Sequence, residues 1–398
     1  MKIDGKTSHN SPSLRFPEFN GEWEKCKLGT LATKVGSGST PKGGDAVYTS
    51  IGHYFVRSQN VGMGFLMLDN IAHINDDIHQ KHKATEIYEN DVLLNITGAS
   101  IGRTAVATKE LEGGNVNQHV CIIRTNSKVN PKFLCDYIQT QRIQNHIKSL
   151  QTGGSREGLN FEQIRSFPIS LPSINEQNKL TCLLDKINER IATQVRLIED
   201  LKKFKCAIVE KLYSEIQGKE YSYRQLFEII NERNSRLEYS NVLSASQEKG
   251  MVNREDLNLD IKFELSNINT YKIVREGDYV IHLRSFQGGF AFSNMVGVCS
   301  PAYTIMRPKK LLEYGYLSYY FTSRKFIKSL IIVTYGIRDG RSINVDEWLD
   351  MKNIIPSKEQ QQHILRTIRG FENKIEVEEM YASCLSKQKQ YLLRQMFI

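Results

Sequence analysis

Apolar residues recur in steps of four and three along one stretch of the chain, at Leu180, Leu184, Ile187, Ile191, Ile198, Leu201, Ile208 and Leu212. A second stretch copies the pattern with Ile364, Ile368, Phe371, Ile375, Ala382, Leu385, Leu392 and Met396. A mean spacing of about 3.5 residues lays a single apolar seam along a helix, so both stretches are predicted to be long helices of coiled-coil type. Ser173 with Glu176, and Ser357 with Gln360, predict capping boxes at their starts, the serine oxygen taking a free amide and the Glu or Gln reaching back. Pro172 and Pro356 stand just outside and block extension backwards. The matched seams make each helix the natural partner of the other. The alternative is that each lines only a globular core.

Four seam positions are polar: Gln194, Lys205, Glu378 and Lys389. Antiparallel packing that sets Gln194 against Lys389 also sets Lys205 against Glu378. A buried unpaired charge is costly, so these pairs are expected to pin the register. The other arrangement open to them is to snorkel from the seam edge to solvent.

The two seams belong to a longer internal repeat. Leu159 to Ser214 lies without a gap over Ile343 to Ile398 at a shift of 184 residues, with Asn160 on Asn344, Pro172 on Pro356 and Gln177 on Gln361. Upstream the match is looser. Glu89 to Leu93 resembles Glu276 to Val280, and Trp23 with Leu28 resembles Tyr221 with Leu226. The expected class is therefore α+β: two mixed α/β domains separated by two long antiparallel coiled-coil helices, with an internal pseudo-twofold repeat. The expected boundaries are 1–172 for the first globular domain, 173–217 for the central helix, 218–356 for the second domain and 357–398 for the C-terminal helix.

Between the helices, short β-branched and aromatic runs bounded by Gly, Asn and Ser clusters predict strands near Ala105 to Thr108, Val120 to Arg124, Tyr279 to Leu283 and Ala302 to Met306. Amphipathic helices are expected near Pro131 to Ser149 and Tyr314 to Leu330. The connecting loops are rich in Gly, Asn, Gln, Ser and Arg. Such groups suit phosphates and base edges: glycine lets backbone amides approach a phosphate, Arg can bridge guanine, and Asn or Gln can bridge adenine. In the first copy the candidate DNA contacts are Ser39, Thr40 and Lys42, then Arg57, Gln59 and Asn60, then Thr97, Ser100 and Arg103, then Asn117 and Gln118, and finally Arg156. In the second they are Ser246 and Gln247, Arg284, Ser285 and Gln287, and Arg338 and Arg341.

Composition narrows the partner and the chemistry. A formal net charge of +9 over 398 residues fits a polyanion. The seven cysteines are scattered, with no CxxC pair and no metal-ligand spacing, so a reducing compartment and no structural zinc are expected. Met1 to Pro12 lacks an apolar core of the secretory type, and no apolar run approaches membrane-spanning length, so a cytoplasmic location with no membrane contact is expected. Enzymatic classes lack their signatures. There is no Pro-Pro for an amino-methyltransferase motif, and Gly36 to Gly44 lacks the terminal Lys-Ser/Thr of a phosphate loop. His73, His79 and His82 lack partners at ligand spacing, and Asp91 and Asp278 precede strand-like runs as turn residues do. A scaffold that binds only protein remains the other class, favoured if the basic loops do not share a face.

The chain resembles the specificity subunits of type I restriction-modification systems over nearly its whole length. The resemblance rests on Leu14-Arg15-Phe16-Pro17-Glu18-Phe19 with Trp23 and Lys27-Leu28-Gly29, on Gly38-Ser39-Thr40-Pro41, and on Asp91-Val92-Leu93-Leu94 running into Thr97 to Arg103. It rests further on Asn117-Gln118-His119 and on Ile169-Ser170-Leu171-Pro172 before Glu176-Gln177. The second copy departs from it: no Gly-Ser-Thr-Pro loop follows Tyr223, and Gln360 replaces Glu176. The resemblance implies a non-catalytic subunit whose two target-recognition domains each read half of a bipartite, asymmetric site in double-stranded DNA. It implies two methyltransferase subunits and the restriction subunits as partners. It also implies no cofactor on this chain, since S-adenosylmethionine, ATP and Mg2+ would belong to those partners. The helices, about 60 Å long at about 1.5 Å per residue, would set the gap. Their outward faces, with Glu199, Lys202, Lys203, Lys387 and Gln388, would dock the methyltransferases.

Overall fold

A computed structural model describes residues 10–151, 158–246, 249–257, 265–282, 289–335 and 342–398. The two long helices run over Ile174–Ser214 and Lys358–Met396. Along both, the seam positions are buried or half-buried while most of their neighbours are exposed, as the four-three spacing predicts. The chain divides into two compact units, and the division cuts each long helix. Unit 1 is Met1–Gln194 with Tyr381–Ile398, and unit 2 is Val195–Met380.

In unit 1 the strands are β1 (Glu24–Lys27), β2 (Ala32–Ser37), β3 (His53–Val56), β4 (Ala72–Ile74), β5 (Val92–Asn95), β6 (Thr104–Val106), β7 (Asn115–Val116), β8 (Val120–Thr125) and β9 (Pro168–Leu171). They form a four-stranded sheet ordered β2-β8-β5-β6, a three-stranded sheet β4-β3-β7 and the pair β1-β9. Alternation along the central strands divides the core. Val92 and Leu94 face one cluster with helix Pro131–Gln139 and the two long helices, whereas Leu93, Val120 and Ile122 face the second sheet. Amphipathic helices Pro131–Gln139 and Gln141–Gln151 cover the first face where one longer helix was expected.

Unit 2 repeats the plan with β10 (Lys219–Ser222), β11 (Phe227–Ile230), β12 (Leu243–Ser246), β13 (Gly250–Asn253), β14 (Lys272–Val274), β15 (Tyr279–Ile281), β16 (Phe290–Phe292), β17 (Gly297–Cys299), β18 (Thr304–Pro308), β19 (Thr334–Tyr335), β20 (Ser342–Ile343) and β21 (Lys352–Ile355). Its four-stranded sheet, β11-β18-β15-β16, has the strand order of β2-β8-β5-β6. The ladders correct one alignment. Glu24 pairs with Leu171 and Lys219 with Ile355, so Leu28 corresponds to Tyr223, not to Leu226. Matching Trp23 and Leu28 to Tyr221 and Leu226 slipped three residues, because at the first strand both copies offer an aromatic and a leucine at similar spacing.

Two devices recur in both units. Buried Asp91 holds Arg124 with two bonds of 2.8 and 2.7 Å and also accepts the Tyr88 amide, while Asp278 holds Arg307 at 2.9 and 2.9 Å and accepts the Arg275 amide. These aspartates are structural anchors that close the turn before the central strand. The second device is a buried glutamine at the head of each long helix. Gln177 accepts the Asn130 amide at 2.8 Å and donates to the Lys128 and Pro172 carbonyls, and Gln361 does the same with Glu313, Leu311 and Pro356.

The helix starts differ from the expected capping boxes by half. The amides of Glu176 and Gln360 do reach the Ser173 and Ser357 oxygens, each at 3.4 Å. The Glu176 carboxylate does not reach back, however. It takes Arg15 in a two-bond pair at 2.7 Å each and the Trp23 indole at 3.4 Å, because a buried carboxylate gains more from a guanidinium than from one backbone amide.

Three of the polar seam residues also bond to side chains outside the expected pairs. Within unit 2, Lys205 donates to Glu372 at 3.0 Å, and Glu378 takes Lys374 from one turn earlier in its own helix. Within unit 1, Lys389 donates to Gln139 at 3.1 Å. Pairing Lys205 with Glu378 and Lys389 with Gln194 considered two helices alone. The globular parts supply partners at the seam edge: Gln139 as an acceptor for Lys389, and Tyr319, whose hydroxyl donates to Glu372 at 2.6 Å and fixes that carboxylate.

Candidate nucleic-acid interface

The ends of β2, β3, β5 and β7 converge at one edge of unit 1. Val56 and Val116 are parallel neighbours, the Asn117 amide reaches the Val56 carbonyl at 3.1 Å, and the Gly38 amide reaches the Asn117 carbonyl at 3.2 Å. Asn95, the last residue of β5, sends its side-chain amide to the Ser58 carbonyl at 2.8 Å. Four loops that are far apart in sequence are thereby tied into one rim: 38–42, 57–60, 96–103 and 117–119. A fifth joins them, because Thr97 bridges to Gly158 and the Leu159 amide reaches the Ile96 carbonyl at 2.8 Å.

A chain of side-chain bonds crosses the rim. The Thr40 hydroxyl donates to the Gln118 carbonyl oxygen, the Gln118 amide donates to His119 Nε2 at 3.1 Å, and His119 Nδ1 lies 2.5 Å from the Thr97 hydroxyl oxygen. Read in that order, His119 accepts at Nε2 and faces the Thr97 hydroxyl through Nδ1. The Gly-Ser-Thr-Pro loop, the Asn-Gln-His turn and the Thr-Gly turn therefore act as one ordered edge. Gly38 makes the approach possible, since a Cβ there would fall 1.7 Å from the Val116 carbonyl oxygen. Gly38→Ala is expected to lower urea-measured stability by about 1–3 kcal/mol. Gly36→Ala, with open space at its Cβ, should change it by under about 0.5 kcal/mol. Equal values for the two variants would remove the close approach from the account.

The candidate residues divide by what they touch. Lys42, Gln59, Arg103 and Gln118 are exposed, and Lys42 and Arg103 have no acidic partner within 4 Å among the described residues. Ser39 and Thr40 are exposed beside them, and Thr97 and Ser100 are half-buried in the turn. Asn60 and Asn117 are buried and shape the loops. Asn60 accepts the Arg57 amide and donates to Met67, and Asn117 accepts the His119 amide. Arg57 lies under the rim, its guanidinium 5.4 Å from the Tyr48 ring centre. Sequence reasoning missed His119 as a linker and Asn95 as the tie between loops, although His119 stood inside a loop already singled out.

In unit 2, Ser246 ends β12 and its hydroxyl accepts the Lys249 amide at 3.3 Å. Arg156, Gln247, Arg284, Ser285, Gln287, Arg338 and Arg341 lie outside the described residues. Their flanks keep the repeat. The His282 amide reaches the Gly289 carbonyl just as the Asn95 amide reaches that of Arg103, and Tyr335 pairs with Ser342.

No group of His, Cys, Asp or Glu suited to a metal occurs among the described residues, and none of their helices is long and apolar enough to cross a membrane. His79 binds the Asn115 side chain and His82 the Ile78 carbonyl, each through Nδ1. His73 packs on Tyr54.

Comparison with known proteins adds to this geometry. Residues 20–203 match the profile of the type I restriction modification DNA specificity domain. The chain is 19% identical over 407 aligned positions to the putative type I restriction enzyme MjaX specificity subunit of Methanocaldococcus jannaschii, covering 96% of this chain and 95% of that protein. It is 24% identical over 135 residues to the EcoBI specificity subunit of Escherichia coli, covering 33% of this chain and 28% of that protein. Among solved structures, it is similar to a chain from work on complex assembly and conformational transition of the type I R-M system, with a TM-score of 0.61, 15% identity, and 94% and 97% of the two chains covered. The type I S subunit from M. genitalium gives a TM-score of 0.53 at 14% identity, covering 98% of this chain and 99% of that one.

Proposed function

We propose that the chain, whose residues 20–203 match the type I restriction modification DNA specificity domain, is a non-catalytic specificity subunit of a type I restriction-modification system and reads a bipartite, asymmetric site in double-stranded DNA. Each unit reads one half. The observation that carries this reading is the rim of unit 1, where separate loops are bonded into one edge bearing Lys42, Arg103, Gln59 and Gln118. The cations neutralise phosphates or bridge guanine, and the amides have the donor and acceptor pair that adenine presents in the major groove. A scaffold that binds only protein has no need of basic loops on a shared edge.

The long helices set the gap between half-sites and carry two methyltransferase subunits, with exposed Glu199, Lys202, Lys203, Lys387 and Gln388 on their outward faces. Restriction subunits join the same assembly. This chain holds no cofactor of its own, and S-adenosylmethionine, ATP and Mg2+ enter with the partners.

Salt dependence tests the phosphate part of the reading. Binding of the chain with its methyltransferase subunits to a duplex should weaken with salt at about 0.9 log unit per log unit for each neutralised phosphate. Lys42→Ala should lower that slope by about one and weaken all sequences alike. Binding that ignores salt, or a Lys42→Ala slope equal to that of the parent, would remove the rim from the DNA contact.

A further inference from the structure

Unit 1 contains a cleft of about 350 Å³ that none of the rim residues lines. Its apolar walls are Phe65, Leu66, Leu68, Ala105 and Val106, and Asp136 lies at its buried end. Asp136 is 5% exposed, and its bond is to a neutral donor, the Gln139 amide at 3.3 Å. Of the nearby cations, Lys389 donates a hydrogen bond to the other end of Gln139, and Lys132, which itself lines the cleft, pairs with Asp185 at 2.6 Å.

The repeat shows what the same place looks like when it serves only packing. Val106 stands opposite the first residue of β5, and Phe292 stands opposite the first residue of β15. Asn130 and Glu313 hold the same bond to the helix-head glutamine, which sets Asp136 against Tyr319 without a gap. In unit 2 the equivalent positions thus carry two rings, Phe292 and Tyr319. Its acid, Glu372, stands at the repeat position of Asn188 and is neutralised by Lys205 and the Tyr319 hydroxyl. Unit 1 keeps the space open and leaves its acid with an amide.

We propose that this cleft receives an arginine side chain of the methyltransferase partner, the guanidinium meeting Asp136 and stacking on Phe65. The inference rests on the assembly reading above. An acid at the closed end excludes a DNA phosphate and selects a cation. An aromatic wall beside a carboxylate suits a planar guanidinium, which stacks and donates in pairs. Met63, Phe65 and Met67 are exposed by 39, 57 and 39% at the same turn, an apolar surface for a polypeptide to cover.

Burial pushes the Asp136 carboxyl up to about 7, with Lys389 and Lys132 opposing and Asp185 adding to the rise; Cys135 and Glu110 also line the cleft. A guanidinium holds the carboxyl ionised, so docking releases a proton and tightens as pH rises to and through 7.

Affinity of the full chain for its cognate methyltransferase subunit, measured at pH 6 and pH 8, decides the matter. Ionisation of Asp136 predicts about tenfold tighter binding at the higher pH. Asp136→Asn, isosteric with the protonated acid, should bind about tenfold more weakly at pH 8 and lose that pH dependence. Val106→Phe, which copies unit 2, should weaken binding by filling the cleft, and Tyr319→Phe in unit 2 should leave the cleft's contribution unchanged. If a complex forms and Asp136→Asn and Val106→Phe bind with the parent's affinity and pH profile, the cleft has no such role while the assembly reading stands. If the parent chain forms no complex, the assembly reading falls and the inference with it.

Discussion

Asp91→Ala is expected to lower the stability of unit 1 by about 3 kcal/mol, read as a shift in urea midpoint at unchanged slope. Asp91 is 1% exposed and holds the Arg124 guanidinium with two short bonds, while its second oxygen also takes the Tyr88 amide. Removing it strands a guanidinium that is three-quarters buried, and also a backbone donor. Breaking a buried pair from one side costs about 3–5 kcal/mol, and the partial exposure of Arg124 places the value at the lower end. Asp278→Ala should act in the same direction in unit 2, more weakly, because Arg307 is more exposed, at 35% against 24%. A double variant Asp91→Ala with Arg124→Leu should recover part of the loss, since no charge is then left unpaired. A variant as stable as the parent would deny the anchor its role.

Arg103→Ala with Gln118→Ala is expected to relax one half-site and leave the other as it was. Both residues are exposed on the edge that the Thr40, Gln118, His119 and Thr97 chain holds together. Each two-bond contact to a base discriminates by about 1–3 kcal/mol, so loss of one predicts roughly a tenfold to hundredfold fall in methylation of the original site. Degenerate bases should appear in a single half of the motif, because both residues stand on the rim of unit 1. Relaxation of both halves at once, or none, would contradict the assignment of these residues to one unit's reading edge.

Much of this architecture is legible along the chain, for reasons that differ by element. The long helices are visible because a seam at four-three spacing buries one narrow stripe, and nothing else in the sequence keeps that period for so long. The repeat is visible where packing constrains every position, as at Gln177 and Gln361, whose three bonds each leave no room for drift. The loop candidates were recognisable as types, and their convergence was not. Asn95 to Ser58 and Thr40 to Gln118 join residues 37 and 78 positions apart, a long-range pairing that local pattern does not encode. The bonds from the seam to the globular parts are hidden for the same reason: Lys389 takes Gln139, and Glu372, which holds Lys205, takes Tyr319, and a pattern confined to two helices has no access to them. Asn60 and Asn117 show the converse, since an asparagine suited to adenine is equally suited to closing a turn, and both accept turn amides.

Methylome sequencing of a strain lacking type I systems tests the central claim most directly, comparing cells that express this chain with a cognate methyltransferase subunit against cells with that subunit alone. The account predicts a new bipartite methylation motif, with two defined halves around an unread gap, that requires this chain. With the methyltransferase subunit shown to be active beside another specificity subunit, the absence of any motif dependent on this chain would contradict it.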